Sequence, residues 1–251
     1  MLTNKTIDTL IIGAGFAGMY ALYKQITDGF TSEIYEQGDG VGGTWYWNRY
    51  PGARCDIESM DYSYSFSEEL QQEWNWKQKY GTQPELLNYA NYVCEKFDLK
   101  KNINFNTRIT KSKFNKKTDK WLVETSKKEL IECKYLILAT GNLSTPNTPN
   151  IKGIKNFKGN IYHTGAWPKK MPDFNGRTVG VIGTGSSGVQ SIPIISETAK
   201  KLLVFQRTPN FSLPARHSEL PELKRENYKK DYKKYRQMAK NSSFGIAKYQ
   251  P

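Results

Sequence analysis

Glycines at the first, third and sixth positions of a short turn occur twice, in Gly13-Ala14-Gly15-Phe16-Ala17-Gly18 and in Gly183-Thr184-Gly185-Ser186-Ser187-Gly188. Each turn follows a short apolar run, Thr9 to Ile12 and Thr178 to Ile182, and opens a stretch with helical patterning. Strand, glycine turn, helix is the context that separates a dinucleotide site from loops that merely contain glycine. The chemistry such a turn can do is phosphate binding. The first glycine permits the tight turn, the second lets the backbone approach a pyrophosphate, and the third lets helix pack closely on strand. Free N–H groups and the helix dipole then hold the negative charge. A pair of turns that hold no ligand is the plain alternative.

The two units end differently. Glu36 closes the second strand of the first unit (Thr31 to Tyr35), where a carboxylate can accept both ribose hydroxyls. The second unit has no acid there. Its second strand, Leu202 to Gln206, ends at Arg207 and Thr208, and an arginine at that point suits a 2′-phosphate. The competing reading of Arg207 is a surface arginine beside a strand end. The expectation is a dinucleotide with a free ribose on the first turn and NADP in preference to NAD on the second. Two such sites in one chain imply electron transfer between FAD and NADPH.

Between the units lies GGTWYWNRYPGARCD, Gly42 to Asp56, which reads as neither helix nor strand. A loop this rich in aromatics is built to touch something. Tight turns are expected at Gly42, Gly43 and Pro51-Gly52. On residue type alone Asp56 is a loop carboxylate capping a turn.

The elements that must position these residues form a coarse pattern. A helix is predicted over Pro84 to Phe97, strands over Ile103 to Ile109, Trp121 to Thr125 and Glu129 to Leu138, and a charged helix over ELKRENYKKDYKKYRQMAK near the end. The proline- and asparagine-rich connector NLSTPNTPNIKG after Ala139-Thr140-Gly141 marks a domain boundary. The fold class is α/β, with two Rossmann-like dinucleotide-binding domains of the FAD/NAD(P)-binding type. The expected segments are an FAD-binding part over 1–144, a linker over 145–175, an NADP-binding part over 176–215 and a charged helical segment over 216–251.

Composition narrows the alternatives. The formal net charge is +13 over 251 residues, but the lysines are scattered and read as a solvated surface, so no nucleic-acid partner is expected. Cys55, Cys94 and Cys133 match no metal spacing, and their sparse, odd number argues for a reducing compartment. The start of the chain lacks a signal-peptide pattern and no run is apolar enough for a membrane span, which leaves a cytoplasmic protein with no membrane partner.

FKGNIYHTGAWP, Phe157 to Pro168, matches F-x-G-x-x-x-H-x-x-x-W-P at every fixed position. Gly42, Gly43, Trp45, Tyr50, Pro51, Gly52 and Asp56 fit a second signature, G-G-x-W then Y-P-G then D. With these motifs the chain, from about Asp8 onward, resembles the flavin-dependent Baeyer–Villiger monooxygenases, and looks most like the phenylacetone and cyclohexanone monooxygenases. The resemblance implies FAD and NADP(H) as cofactors, O2 and a small ketone or aldehyde as substrates, and an ester or lactone as product. It implies that Asp56 is catalytic, contacting both cofactors and holding the family's active-site arginine. It places Arg54 and Cys55 at the nicotinamide cofactor and Phe16, Gly43, Thr44, Trp45 and Tyr62 at the flavin cofactor, with Trp45, Tyr46 and Trp47 walling the flavin ring against water and Ile109 against the adenine. His163 and Trp167 then act as linker anchors, not catalysts.

That family's active-site arginine falls in a later segment than any present in this sequence. The expectation is therefore the N-terminal half of such an enzyme, whose C-terminal half would be its partner. A related flavin monooxygenase acting on nitrogen or sulfur is the second reading, against which the Phe157–Pro168 motif counts. An inactive dinucleotide-binding remnant is the third.

Overall fold

A computed structural model of the chain describes residues 4–143, 145–243 and 245–247. Ser144, where the first expected segment ends, lies outside them. In chain order the elements are β1 (Asn4–Ile12), α1 (Phe16–Thr27), β2 (Ser32–Tyr35), α2 (Thr44–Trp47), α3 (Glu68–Glu73), α4 (Gln83–Lys96), β3 (Ile103–Asn104), β4 (Ile109–Asn115), β5 (Lys120–Thr125) and β6 (Leu130–Leu138). After them come β7 (Thr178–Ile182), α5 (Ser186–Ser196), β8 (Lys201–Phe205), α6 (Glu222–Lys230) and α7 (Tyr232–Asn241). They form two compact units, Met1–Asn48 with Leu87–Trp167 and Arg49–Leu86 with Pro168–Pro251.

The first unit is built on a sheet of order β3-β2-β1-β6-β5-β4. β1 pairs in parallel with β2 and β6, and β2 with β3, while β5 runs antiparallel to both β6 and β4. Parallel strands are covered on both faces and therefore read as continuous apolar runs. Adjacent residues of β1 show this directly. Ile11 joins Met19 and Leu22 of α1 with Ile34, Leu99 and Ile103 in one core, whereas Leu10 joins Tyr35, Val123, Ile131 and Cys133 in the other. The β4–β5 hairpin leaves one side to water, which suits its lysines.

The single strand expected over Ile103 to Ile109 is two. β3 ends at Asn104, Asn106 takes a left-handed φ of +51°, and β4 begins at Ile109. Asparagine tolerates that conformation, and the turn it makes lets the Asn106 and Thr107 N–H groups bond to Gly38 O (2.9 Å) and Glu36 O (2.8 Å).

In the second unit β7 and β8 form a parallel pair, and α5 follows β7 at once. The charged helix expected near the end is also two, broken at Asp231, whose φ is −134°. The rings of Tyr228 and Tyr235 stack at 4.0 Å, with an interplanar angle of 11°. In one continuous helix these residues would sit about 10 Å apart along the axis, so the break is what allows the stack. Arg236 then ties α7 to residues 61–72, donating to Ser63 Oγ (2.8 Å), Gln71 Oε1 (3.1 Å) and Asp61 O (3.3 Å).

Among the described residues no helix is long and apolar enough to cross a membrane, and no group of acids, histidines and cysteines is arranged to hold a metal ion.

Candidate functional site

In the first unit the turn between β1 and α1 is fixed from three sides. Gly13 has φ +102°, and a Cβ on it would lie 2.6 Å from Ala139 O, so the chain after β6 backs the turn. A Cβ on Gly18 would lie 1.9 Å from Gly13 O, leaving no space for a side chain where the helix folds over its own turn. Ala14 N–H donates to Glu36 Oε2 at 2.8 Å, and Gly38 N–H donates to Glu36 Oε1 at 2.7 Å. Glu36 is only 6% exposed, so its charge is offset by these two amides. Each carboxylate oxygen keeps lone-pair capacity for a hydroxyl donor.

The second unit repeats this geometry. Gly183 has φ +100°, and a Cβ on Gly188 would lie 2.5 Å from Gly183 O. The residues before the two helices are also alike: Gly15 has φ −77° and ψ −175°, and Gly185 has φ −69° and ψ −176°. A Cβ on Gly185 meets no atom within 4 Å. Neither its backbone angles nor its neighbours require glycine there, and open backbone at a helix N-terminus fits a phosphate. Thr184 Oγ1 accepts from Gln206 Nε2 (2.8 Å) and Asn210 Nδ2 (3.2 Å), tying the turn to the chain beyond β8. Arg207 and Thr208 stand exposed just after that strand. Ser186 and Ser187 form the first turn of α5.

The loop from Gly42 to Asp56 divides between the units after Asn48. Its first part is not irregular as expected: Thr44–Trp47 is a short helix. Gly42 (φ +115°) and Gly43 (φ +53°) turn the chain so that the Trp45 N–H reaches Gly42 O and the Trp47 N–H reaches Gly43 O. Gly43 also meets the Gly13–Gly18 turn backbone to backbone, since its Cβ would lie 2.8 Å from the Gly15 Cα. Trp45 is buried, while Tyr46 bonds to Asp39 and packs with Trp47 over Gly38. Phe16 packs edge-on against Tyr89 at 6.0 Å. Ile109 lies at the start of β4, against the core that holds Leu10.

The second part of the loop closes on α5. Pro51-Gly52 is a tight turn, with Gly52 at φ +77° and so close to the helix that a Cβ would lie 2.2 Å from Gln190 O. Arg54 turns its Nε back to Gly52 O at 3.3 Å. The Cys55 thiol is buried and pushed up to about 11 by that burial, which suits packing and not redox work. Asp56 is exposed, and its Oδ1 accepts from Gln190 Nε2 at 3.0 Å. Tyr62 lies farther on, its N–H bonded to Glu58 O.

Gln190 is the residue that sequence reasoning missed. A glutamine in an amphipathic helix carries no signal of its own, and its partners lie 134 to 140 positions away.

Phe157 to Trp167 of the Phe157–Pro168 motif lie in the first unit. His163 Nδ1 accepts from Gly165 N–H at 3.0 Å and Nε2 meets Asn147 O at 3.2 Å, so both ring nitrogens serve the backbone. Trp167 is buried, its ring 5.5 Å from that of Tyr162.

Comparison with known proteins follows the same lines. A family described as pyridine nucleotide-disulphide oxidoreductase matches residues 10–241. The chain is 43% identical over 242 residues to a Baeyer-Villiger monooxygenase of Pseudooceanicola batsensis, which covers 95% of this chain and 44% of that protein. It is 42% identical over 236 residues to a phenazine N-monooxygenase of Lysobacter antibioticus, covering 94% of this chain and 43% of that one. Among solved structures, an oxidized steroid monooxygenase bound to NADP superposes with a TM-score of 0.94 at 47% identity, covering 98% of this chain and 47% of its own. The chain thus spans less than half the length of these relatives. It belongs to the pyridine nucleotide-disulphide oxidoreductase family and is similar, over nearly its whole length, to the N-terminal half of flavin-dependent Baeyer–Villiger monooxygenases.

Proposed function

We propose that the chain is the cofactor-binding part of a Baeyer–Villiger monooxygenase that takes FAD on the Gly13–Gly18 turn and NADPH on the Gly183–Gly188 turn. The observation that carries this reading is the duplicated turn geometry with unlike endings, Glu36 after the first turn and Arg207 after the second. Bound FAD, once reduced by NADPH, would supply the chemistry that places one atom of O2 next to a ketone or aldehyde carbonyl and reduces the other to water.

The chain's own residues bind, orient and exclude water. Gly15 and Gly43, which touch backbone to backbone, leave bare backbone at the first phosphate position, and Glu36 accepts the ribose hydroxyls. Ser186 and Ser187 present N–H groups to the second dinucleotide, and Arg207 with Thr208 holds its 2′-phosphate. Trp45, buried two residues after the Gly43 that touches the first turn, keeps water from the ring. Asp56 holds a cationic group in place beside the reacting atoms, and Arg54 lies at the nicotinamide side.

A second reading, oxygen transfer to a ring nitrogen, is favoured by the equal similarity to an N-oxygenating relative. The test is to express the chain with FAD, look for a bound yellow chromophore, and follow NADPH oxidation with phenylacetone, cyclohexanone or phenazine, assaying ester and N-oxide. Flavin retention with NADPH oxidation supports the proposal, and the product formed decides between the two readings. A chain that retains no flavin sinks both.

A further inference from the structure

We propose that Gln190 is the positioning residue of Asp56, fixing its carboxylate to the helix that begins at the second phosphate turn. Every hydrogen-bonding position of the Gln190 side chain is used. Nε2 donates to Arg54 O (3.0 Å) and Asp56 Oδ1 (3.0 Å), and Oε1 accepts from Tyr50 Oη–H (2.9 Å) and Arg54 N–H (3.3 Å). The amide orientation is forced, because a carbonyl and a carboxylate oxygen can only accept and so must face the NH2 group. The same helix meets the loop twice more. Gly52 backs onto Gln190 O and the Ile194 side chain, and the Tyr50 hydroxyl is also hydrogen-bonded to Ser187.

Ser187 and Gln190 are three apart on α5 and so share a face. One turn of helix therefore offers its N–H groups to the dinucleotide and its side chains to the loop that carries Asp56. An exposed aspartate on an unsupported loop would sample many rotamers, and a group that works on developing charge must be held in place beforehand. Gln190 does this through one direct bond to the carboxylate and two to the backbone of Arg54, two residues before it. Asp56 is thereby registered to the second dinucleotide site.

The inference rests on the functional reading given for Asp56, so its test separates the two. In the FAD-loaded chain, flavin bleaching by NADPH is followed without oxygen in single turnovers. Gln190→Leu is expected to lower the limiting rate at least tenfold and to move the half-saturating NADPH concentration less than threefold. Gln190→Glu, which keeps the acceptor edge and loses the donor edge, behaves the same way. Added to Asp56→Ala, Gln190→Leu costs nothing further, because it acts through the missing carboxylate. An unchanged rate, a loss confined to NADPH affinity, or full additivity with Asp56→Ala would overturn the proposal. If the parent chain takes up no FAD, the functional reading fails, and tryptic cleavage after Arg54 decides the positioning claim. Severalfold faster cleavage in Gln190→Leu upholds it, and equal cleavage overturns it.

Discussion

Glu36 and Ala14 are joined by a hydrogen bond of 2.8 Å from a backbone N–H of the phosphate turn to a buried carboxylate at the end of the next strand. A second, 2.7 Å long, runs from Gly38 N–H to the other oxygen. The residue expected to bind ribose is therefore also a brace for the turn that would bind pyrophosphate. Removing it leaves two amides unpaired, each worth about 1–3 kcal/mol when buried. Glu36→Ala should lower unfolding stability by roughly 3 kcal/mol, seen as a lower urea midpoint. Glu36→Gln, which can accept only one of the two bonds, should fall between. A Glu36→Ala chain as stable as the parent would remove the bracing role.

The glycines of the two turns separate packing from ligand binding. Gly188→Ala puts a Cβ 2.5 Å from Gly183 O, whereas Gly185→Ala meets nothing within 4 Å at an ordinary φ of −69°. Gly188→Ala should destabilise by several kcal/mol, as overpacking against backbone does. Gly185→Ala should leave stability within about 0.5 kcal/mol or raise it slightly, yet weaken NADP+ binding at least tenfold by calorimetric titration. Unaltered NADP+ binding in Gly185→Ala would remove the second turn as the nucleotide site.

Much of this plan is legible in the sequence, for identifiable reasons. Strand β7 occupies its expected residues, and α4 differs from its expected span by a single residue at each end, because apolar runs stopped by glycine and a proline in a first turn are local signals. The breaks at Asn106 and Asp231 lack such signals. The first is set by bonds to Glu36 O and Gly38 O, far back in the chain; the tyrosines that stack across the second lie within four residues of Asp231, but the run around it holds no glycine or proline to signal a break. The geometry of the two glycine turns is legible by residue type. What supports Asp56 is not, since Gln190 acquires its role from a loop far off in sequence.

Buried thiols give a pH dependence. Cys55 and Cys133 are both pushed up to about 11 by burial, from an ordinary thiol value of 9.0. The folded state holds these protons longer than the unfolded state does, so the contribution is whole below pH 9 and is lost as the pH rises through 11. The loss is bounded at roughly 3 kcal/mol per thiol. Denaturant midpoints should fall steeply between pH 9 and 11, and Cys133→Ala should flatten that fall. A midpoint independent of pH over this window would contradict the burial of both thiols. Thiol-specific reagents should also react slowly at pH 8 until the chain is unfolded.

Ile182 and Phe205 are cross-strand partners in the β7–β8 pair and so point to one side of it. They are 71% and 56% exposed, and Leu203, two residues before Phe205 on the same side, is 40% exposed. Beside them Gly180 contributes no side chain, and the Phe205 ring lies over it. An apolar face of this kind on an open pair of strands invites association through both surface and edge. The chain should therefore self-associate at micromolar concentration in sedimentation velocity and bind the dye ANS. Ile182→Thr with Phe205→Thr leaves a β-branched residue at both strand positions and should reduce both signals severalfold, with little change in melting temperature. A parent chain that sediments as a single monomeric species without binding ANS would show that this face is covered in solution.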